Sequence, residues 1–567
     1  MASELDAALK AVMDRLTAPG APLETMTVQR DGMDYTAFRN APPSLAAYFA
    51  HYCAQHSDIP FLVDGDLRLT FGEAYDLARR AATGLIERHG VQRGDRVGLA
   101  ARNSANWILL YMAILMAGGC ATLLNGWWTG EELAAGIDLA GCKLVLADPQ
   151  RAARLEGHRH GAELAVFEHG DPEVGIPFLG VAGPAVPALP EVGEEDLATL
   201  LFTSGSTGLS KGVISNHRSV VQAALSYAGL TLMVYSHLAA TGQMPEGQPS
   251  ALVNLPLFHV TAEVPLFLQS YALGRKLVIL PKWDALEAMR LIEQERVTYF
   301  VGVPLMSYEI ATHPQRDTFD LSSCVSFVAG GAPRPVEHVA RIHEALPQGF
   351  PLIGYGLTET NGVGCANFNE NYLDKPASTG TADSPIVEMA ILSEAGDKLP
   401  PGQTGEVAFR SIANFLGYWN NPEATAAAMR PNGFFLTGDL GYVDEDGYLF
   451  IVDRKKDIII RGGENIASLE VEQAIYAHPA VAEASVFGLP DERLGEVPVA
   501  VWLAKPGHEV SEGELRDFIA ERIAPFKVPV RFWCEHETLP RLGTEKVDKR
   551  ALKERYSQGW EGARSGQ

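Results

Sequence analysis

The stretch LFTSGSTGLSKG at residues 201–212 joins a short apolar run to three glycines, five hydroxyl side chains and one lysine. Glycines let the backbone approach an anion and turn its N–H groups inward, while hydroxyls and a lysine add donors and charge. The pattern therefore indicates a phosphate-binding turn after a buried strand. It does not fit the P-loop pattern G-x-x-x-x-G-K-[ST], because Leu209 follows Gly208 and Gly212 follows Lys211. A plain polar turn is the alternative that the stretch alone leaves open.

Apolar runs typical of strands alternate with helical patterns on both sides of this stretch. Helices are predicted at 73–89 and 284–295, and strands at 96–101, 143–148, 276–280, 298–304 and 324–331. This alternation predicts an α/β fold with a large N-terminal domain of mostly parallel, helix-covered sheets. The uncharged segment 107–126 approaches a membrane span in length, but its glycines interrupt it, so we expect a buried helix and a core strand and no transmembrane segment.

Length and charge limit the classes of function. A chain of 567 residues is too long for one hydrophobic core, so two or more domains are expected. The formal net charge of -24 argues against a nucleic-acid partner, whose binding surface on a protein is normally basic. Six cysteines without C-x-x-C or zinc-like spacing, and an acidic amphipathic N-terminus, predict reduced thiols and a cytoplasmic location.

The character of the sequence changes near residue 440. Asp446-Gly447 forms a hairpin signal between apolar strands, and the charged run DRKKD follows at 453–457. Beyond it, helical and strand patterns predict a small, mobile α+β unit. We place the large domain at 1–452, a hinge at 453–457 and a C-terminal lid domain at 458–567.

Seven further motifs follow the opening stretch in a fixed order: PLFH at 256–259, GGAPRP at 330–335, YGLTET at 355–360, LTGD at 436–439, DRKKDIIIRGGENI at 453–466, PFKVP at 525–529 and LPRLGTEKVDK at 539–549. Together they resemble the adenylate-forming superfamily, which includes acyl-CoA synthetases, adenylation domains of nonribosomal peptide synthetases, and firefly luciferase. The resemblance implies that a carboxylate attacks the α-phosphate of ATP and pyrophosphate leaves. It also implies ATP, Mg²⁺ and CoA as cofactors.

The resemblance assigns most of these motifs to the nucleotide. The opening stretch would hold the β- and γ-phosphates, Tyr355 would offer its face to adenine, Asp439 would accept from both ribose hydroxyls, and Arg454 would contact the ribose or phosphate. Small residues in GGAPRP would leave room for adenine and the acyl group. The implied nucleotide-binding residues are Thr203, Ser204, Gly205, Ser206, Thr207, Gly208, Lys211, Gly330, Gly331, Ala332, Tyr355, Gly356, Thr358, Asp439, Arg454 and Lys546.

Catalysis joins two anions, so the implied catalytic groups supply donors and positive charge. Thr358 would donate its hydroxyl to the α-phosphate, and Glu359 would hold Mg²⁺, a cation that prefers oxygen ligands. Lys546 would bridge the carboxylate and the α-phosphate. The family usually has glycine before this lysine. Here Glu545 stands there and could compete for the ammonium, and Lys549 is the alternative lysine.

The charged run and the segment after it are implied to serve a second half-reaction. Lys456 would be the hinge residue about which the C-terminal domain turns. In the second pose Gly462, Gly463 and Glu464 would line a tunnel for the pantetheine arm of CoA. Taken alone, the run is more often a solvated charged turn.

The sequence limits the class of the carboxylic acid substrate but does not identify the acid. Amino-acid-activating relatives carry an aspartate after the phenylalanine of the PLFH motif, whereas His259 stands here, so a buried substrate ammonium would lack a partner. His259 would instead gate the site, with a satisfied core histidine as the alternative. Apolar neighbours at 260–267, 302–306 and 362–366 favour a hydrophobic acid: a medium or long fatty acid, or an aryl-alkanoic acid. The orientation of Glu263 is open.

Three functions compete at this level. The favoured one is an acyl-CoA synthetase. The second is an acyl-adenylate synthetase that loads a carrier protein, or a luciferase-like oxygenase. The third is a non-enzymatic nucleotide sensor, which would be expected to lose Lys546, Glu359 or Asp439. Trp127 and Trp128 either pack a helix entry or contact substrate, and a homodimer is the oligomeric state that the resemblance allows.

Overall fold

The computed structural model describes residues 3–180, 188–203, 210–382, 384–542, 546–558 and 560. Their strands, in chain order, are β1 Thr25–Arg30, β2 Met33–Phe38, β3 Pro60–Asp64, β4 Leu67–Thr70, β5 Arg96–Ala100, β6 Cys120–Leu123, β7 Leu144–Ala147, β8 Glu163–Val166, β9 Leu197–Thr203, β10 Lys211–Asn216, β11 Ser250–Val253, β12 Lys276–Ile279, β13 Tyr299–Gly302, β14 Ser326–Ala329, β15 Phe350–Gly356, β16 Gly364–Asn367, β17 Val387–Leu392, β18 Gly405–Ser411, β19 Gly417–Tyr418, β20 Phe435–Val443, β21 Leu449–Arg454, β22 Ile459–Arg461, β23 Glu464–Ile466, β24 Val481–Asp491, β25 Gly495–Ala504 and β26 Arg531–Glu535.

The helices of the same residues are α1 Glu4–Leu16, α2 Leu45–Gln55, α3 Phe71–His89, α4 Ala105–Met116, α5 Gly130–Ala140, α6 Pro149–Leu155, α7 Pro172–Gly175, α8 His217–Ala240, α9 Val260–Ala262, α10 Gln269–Ala272, α11 Ala285–Glu295, α12 Pro304–Thr312, α13 Val336–Ala345, α14 Asn369–Asp374, α15 Pro422–Ala428, α16 Ser468–Tyr476, α17 Glu512–Ala520 and α18 Lys549–Ser557. A π-helix spans Glu263–Leu268, and short 3₁₀ helices span Arg316–Thr318, Thr358–Thr360 and Pro525–Lys527.

Local sequence signals set the ends of several helices. At the start of α3, the Thr70 side chain accepts from the Glu73 backbone, while the Glu73 side chain accepts from the Thr70 backbone. The helix ends at Gly90, which adopts the left-handed conformation that favours glycine. Thr129 and Glu132 form the same reciprocal cap at α5.

Two large sheets form the body of the N-terminal region. The first has seven strands in the order β19-β10-β9-β6-β5-β7-β8, and the second has eight in the order β16-β15-β14-β13-β11-β12-β3-β4. Both are parallel in the middle and antiparallel at one or both edges. The predicted α/β class with helix-covered parallel sheets is therefore confirmed, with antiparallel edge strands as a refinement.

The segment 107–126 resolves as we expected, into a buried helix and a core strand. Every residue of α4 is buried, and β6 lies inside the first sheet. By length and composition alone, helix α8 could cross a membrane, but 56% of its apolar window is buried inside the protein. Its N-terminal half contributes to the same hydrophobic core as α4.

A third sheet departs from the α/β rhythm. Strands β17, β18, β20 and β21 form a four-stranded antiparallel sheet, and the Asp446-Gly447 turn joins the last two. The C-terminal residues form a further sheet in which β26 lies parallel to β25 and the other pairs are antiparallel. Helices α16, α17 and α18 pack on it, in agreement with the predicted small α+β domain.

Candidate active site

The predicted site residues of the large domain converge at the carboxyl ends of β14 and β15. Gly330 to Ala332 follow β14 directly, and Thr358 follows β15 by two residues. Parallel strands present their carboxyl ends at one edge of a sheet, which is where ligands of open α/β sheets bind. The cluster is thus placed by strand order and strand ends.

Lys546 reaches this cluster from the C-terminal domain. A Cβ atom added to Gly331 would lie 3.3 Å from Cε of Lys546 and 3.7 Å from Oγ1 of Thr261. Gly331 has φ of +78°, so a side chain there would also strain the backbone. Burial, together with the nearby charge of Arg454, lowers the pKa of Lys546 to about 8, while Asp439 and Glu359 oppose this shift.

His259 lies beside the same ammonium. Its Nδ1 accepts a hydrogen bond from the backbone N–H of Thr261 at 3.3 Å, which caps the short helix α9. Burial, together with the positive charge of Lys546, lowers the pKa of His259 to about 3. The imidazole is therefore neutral around pH 7.

Asp439 and Tyr355 form a second contact within the site. The Tyr355 hydroxyl donates to Oδ2 of Asp439 at 2.6 Å. Asp439 and Arg454 are direct partners across β20 and β21, and Nε of Arg454 lies 3.3 Å from Oδ1 of the carboxylate. Asp439 is buried and Arg454 is half-exposed, so a buried acceptor lies beside an accessible cation.

Glu359 is held by a tyrosine that sequence reasoning missed. The hydroxyl of Tyr418 donates to Oε1 of Glu359 at 2.8 Å. Burial raises the pKa of Glu359, and the Tyr418 hydrogen bond opposes that shift. Nζ of Lys211 lies 4.7 Å from the centre of the Tyr418 ring, a cation–π contact. Tyr418 thus connects the lysine of the opening stretch to the carboxylate.

The described ends of the opening stretch belong to two paired strands. Thr203 ends β9, Lys211 begins β10, and the two residues are direct antiparallel partners. The predicted phosphate-binding residues Ser204, Gly205, Ser206, Thr207 and Gly208 lie outside the described residues, as does Glu545. Within this pairing, Lys211 lies next to Tyr418, which bonds Glu359.

Gly356 and Thr358 are fixed by a close backbone approach. A Cβ on Gly356 would lie 1.8 Å from the carbonyl oxygen of Gly362, so only glycine fits. Thr358 begins a 3₁₀ helix and is mostly buried beside Glu359. The tight turn holds both side chains at the end of β15.

The residues predicted for the second half-reaction lie elsewhere in this structure. Gly462, Gly463 and Glu464 form the exposed tip of the β22–β23 hairpin, and Lys456 is exposed in the turn before β22. The structure therefore combines Lys546 with the nucleotide-site residues and leaves the predicted tunnel residues in solvent.

The alternative lysine, Lys549, has other partners. Its Nζ lies 2.8 Å from Oε1 of Glu472 and 2.9 Å from Oγ of Ser468. Asp453, the first residue of the charged run, accepts from the backbone N–H groups of Ser468 and Leu469. This network joins the end of β21 to the start of α16, and no local sequence pattern indicated it.

Trp127 and Trp128 flank the entry to α5. The Trp128 ring packs edge-on against Phe202 at 5.1 Å and against Gly136. Trp127 is 48% exposed, and its ring lies 5.9 Å from the guanidinium of Arg151. These contacts match the helix-entry alternative for Trp128.

Glu263, whose orientation the sequence left open, points into the protein core. It is fully buried at the start of the π-helix, and Oε1 accepts from the Tyr111 hydroxyl of α4 at 2.7 Å. Oε2 has no hydrogen-bond partner among the described residues. Burial raises the pKa of Glu263 to about 7, although the Tyr111 hydrogen bond opposes the shift.

We expect Glu263→Gln to flatten the pH dependence of stability. The folded protein keeps a proton on Glu263 between about pH 4.5 and 7 that the unfolded chain releases, so Glu263 lowers the free energy of unfolding as pH rises through this range. A shift from 4.5 to about 7 corresponds to about 3 kcal/mol. Urea denaturation at pH 5 and pH 8 measures the difference. The exposed Glu344→Gln is the control, and equal pH slopes in both variants would contradict the assignment.

A narrow cavity adjoins the site on its apolar side. Tyr227 and Leu230 of α8 face Gly354 of β15 and Val363 across it. Gly354 neighbours Gly330, because a Cβ on Gly330 would lie 3.8 Å from the Gly354 carbonyl oxygen. Gly354 therefore lies between the cavity and the glycines that follow β14.

The chain matches two family models, the AMP-binding enzyme over residues 49–419 and the AMP-binding enzyme C-terminal domain over residues 470–546. It is 32% identical to a long-chain-fatty-acid–CoA ligase of Bacillus subtilis, over 86% of this chain and 90% of that protein. It is 33% identical to a feruloyl-CoA synthase of Amycolatopsis sp, over 87% and 95%. ATP-bound MatB from Rhodopseudomonas palustris superimposes with a TM-score of 0.79 at 28% identity, over 91% of this chain and 100% of that one. The chain belongs to the AMP-binding enzymes, the adenylate-forming family that its motifs resemble.

Proposed function

We propose that this enzyme activates a largely apolar carboxylic acid as its acyl-adenylate, releases pyrophosphate, and transfers the acyl group to CoA. The family membership carries the reaction class, an ATP-dependent acid–thiol ligase. The observation that supports the site is the approach of Lys546 to Gly331, beside His259, Asp439 and Glu359. A residue from the C-terminal domain completes the charge arrangement that joining two anions requires.

Each residue has a role that follows from its position. The Lys546 ammonium would lie between the acid and the α-phosphate and offset the charge that develops there. Asp439 would accept from the ribose hydroxyls, with Tyr355 and Arg454 orienting it. Lys211 and the stretch before it would hold the departing pyrophosphate.

The residues present fit a Mg²⁺ ion that is shared between a protein carboxylate and the substrate phosphates. The described residues contain no group of three or more acidic, histidine or cysteine side chains able to cage a metal. Mg²⁺ in nucleotide sites commonly uses one or two carboxylates with substrate phosphates, and Glu359 supplies such a carboxylate. Bound there, the cation would contribute positive charge to the phosphates.

Tyr418→Phe is expected to raise the Mg²⁺ concentration needed for half-maximal binding of ATP by about tenfold. Loss of one hydrogen bond to a charged group is of this size, and Glu359 would keep its burial without its donor. Calorimetric titration of ATP at graded Mg²⁺ concentrations measures the shift independently of turnover. The control is Tyr442→Phe, because Tyr442 lies in β20 and its ring stacks on Phe450 of β21. Equal dependence of ATP binding on Mg²⁺ in both variants would contradict the role of Tyr418.

The acyl group would enter the cavity beside Gly330 and Gly354. Its lining is apolar around Leu230 and Val363, which suits a hydrocarbon or aryl group. His259 is neutral and gives no carboxylate for a substrate ammonium, so amino acids are disfavoured. The named relatives act on fatty and aryl acids, and the same class is proposed here.

CoA transfer would follow a rotation of residues 458–567 against 1–452 about the turn at 453–457. Lys456 is exposed in that turn and is the proposed hinge residue. The rotation would withdraw Lys546 and bring the Gly462–Glu464 tip towards the acyl-adenylate. The hydrogen bonds between Asp453 and Ser468 would lie close to the axis of this rotation.

Pyrophosphate release across a panel of acids, with and without CoA, tests the proposal. Fatty acids of graded length, phenylacetate, cinnamate and arylpropionates form the panel, and thioester is measured in parallel. Pyrophosphate release without thioester would instead favour loading of a carrier protein. Cytoplasmic location and a homodimer stay predictions, and size-exclusion chromatography with light scattering tests the second.

A further inference from the structure

Arg275 is a buried cation without a counter-charge. It lies directly before β12 and has no exposed surface. Its Nη2 donates to the Tyr235 hydroxyl at 3.3 Å, while Nε and Nη1 have no hydrogen-bond partner in the part of the chain that the structure describes. Among those residues no carboxylate forms an ion pair with it. Arginines are almost never fully buried unless paired, so two donor nitrogens without partners remain to be explained.

The surroundings of Arg275 are polar, although they lie inside the hydrophobic core. We call Thr231, Tyr235, Gln269, Arg275 and Tyr299 the polar belt. The Arg275 guanidinium lies 4.3 Å from the centre of the Tyr299 ring, and the Tyr299 hydroxyl lies 3.5 Å from Nε2 of Gln269. The Thr231 hydroxyl donates to Oε1 of Gln269 at 2.8 Å. The cation–π contact covers one face of the guanidinium and satisfies none of its N–H groups.

The polar belt and the narrow cavity beside the site share helix α8. Tyr227 lines the cavity, and Thr231 and Tyr235 follow it at four-residue spacing, so all three lie on one face of α8. Burial and, to a smaller extent, the Tyr299 phenol raise the pKa of Tyr227. The Tyr299 hydroxyl also lies 3.4 Å from the Pro265 carbonyl oxygen, in the π-helix that follows His259.

Strand β13 gives the distance between the polar belt and the position of the reacting carboxylate. Gly302, at the carboxyl end, accepts from the backbone N–H of Gly330 at 3.1 Å, and Tyr299 begins the strand. Three residue steps of a strand span about 10 Å. The belt therefore lies roughly one medium-length acyl chain below the position of the reacting carboxylate.

We infer that the polar belt receives the far end of the acyl group, and that this enzyme prefers acids whose otherwise apolar chain ends in a carbonyl or carboxylate acceptor. The inference rests on the proposed function. An alkyl end would leave Nε and Nη1 of Arg275 buried without partners, whereas an acceptor oxygen would take a hydrogen bond from one of them and a carboxylate would also supply the missing counter-charge. Sites built to bond a polar group reject the analogue that lacks it.

Three probes of matched length test the inference: octanoate, monomethyl suberate and suberate. The expected order of kcat/KM for pyrophosphate release is octanoate lowest, with suberate about 10- to 100-fold higher. Monomethyl suberate separates the sources of the effect, because it offers a neutral carbonyl in place of the anion. Octanoate equal to or better than both polar probes would overturn the inference.

Variants locate the effect. Arg275→Met should abolish the preference for suberate, and Arg275→Gln, which keeps hydrogen-bond donors, should retain part of it for monomethyl suberate. Arg334→Met is the matched control, because Arg334 is also buried with unpartnered Nε and Nη1 but contacts Ser307 of α12. It should leave the suberate-to-octanoate ratio unchanged. A ratio unchanged in Arg275→Met, or lowered equally in Arg334→Met, would also overturn the inference.

A binding measurement separates this inference from the proposed function. The thermal unfolding midpoint of the full chain is recorded with each probe, without ATP. A suberate-dependent rise in wild type that Arg275→Met lacks supports the belt even if no acid releases pyrophosphate, in which case only the proposed function fails. If octanoate is turned over but suberate does not raise the unfolding midpoint, the role of the polar belt is refuted and the proposed function stands.

Discussion

Lys546→Ala is expected to lower the rate of acyl-adenylate formation by about 10²–10³, the scale for removal of one preorganised charge stabiliser. The ammonium lies against Gly331, where the acid and the α-phosphate are proposed to meet. Its burial lowers its pKa to about 8, so it remains largely protonated at pH 7 and can offset developing negative charge there. Pyrophosphate release in the presence of acid and ATP measures this step.

The second half-reaction should be almost unaffected by the same substitution. When acyl-adenylate and CoA are supplied, thioester formation does not require Lys546, because the proposed rotation withdraws it. Lys553→Ala, on the exposed face of α18, is the control for a nearby loss of charge. Equal losses in both half-reactions would refute the alternation of the two domains.

Gly463→Leu is expected to give the opposite result, with adenylation retained and thioester formation lowered by about 10². In this structure Gly463 is exposed at the hairpin tip, and nothing lies within 4 Å of an added Cβ. A leucine therefore fits while Lys546 occupies the site. In the rotated pose it would fill the passage for the pantetheine arm, and small displacements of reacting groups cost on the order of 10² in rate.

Backbone strain must be separated from blockage in this test. Gly463 has φ of +93°, where a leucine costs on the order of 1–3 kcal/mol. Gly507 in the same domain has φ of +78° and an equally open surrounding, so Gly507→Leu pays a comparable strain far from the proposed tunnel. Intact CoA transfer in Gly463→Leu, or an equal loss in Gly507→Leu, would remove the tunnel assignment.

The two variants together define how one chain would serve two reactions. Lys546 and the Gly462–Glu464 tip belong to the same C-terminal domain, yet only the lysine contacts the site in this structure. Each segment would act in one pose. The Asp453 and Lys549 network would keep the end of β21 joined to α16 while the hinge at 453–457 changes conformation.

Two buried ionisable side chains of this protein, Glu263 and Arg275, differ in whether they can lose their charge. Glu263 has one partner, Tyr111, and burial raises its pKa enough to keep it largely neutral at weakly acidic pH. Arg275 cannot lose its charge at physiological pH, so its unsatisfied donors point to a ligand group instead. Glu263 therefore affects stability through its proton, whereas Arg275 is proposed to affect substrate specificity through its charge.

The sequence by itself determined the fold class, the small C-terminal domain, the family and the position of GGAPRP at the end of a strand. These features rest on short-range periodicity, turn residues and motif order, all of which are local. The antiparallel sheet of β17, β18, β20 and β21 was not predicted, because its pairing joins distant segments. Only the tertiary structure decided that Tyr418 holds Glu359, that Tyr355 bonds Asp439, that Lys546 lies over Gly331 and that Arg275 has no counter-charge. Those contacts depend on sheet register and domain docking, which bring together residues that no local pattern relates.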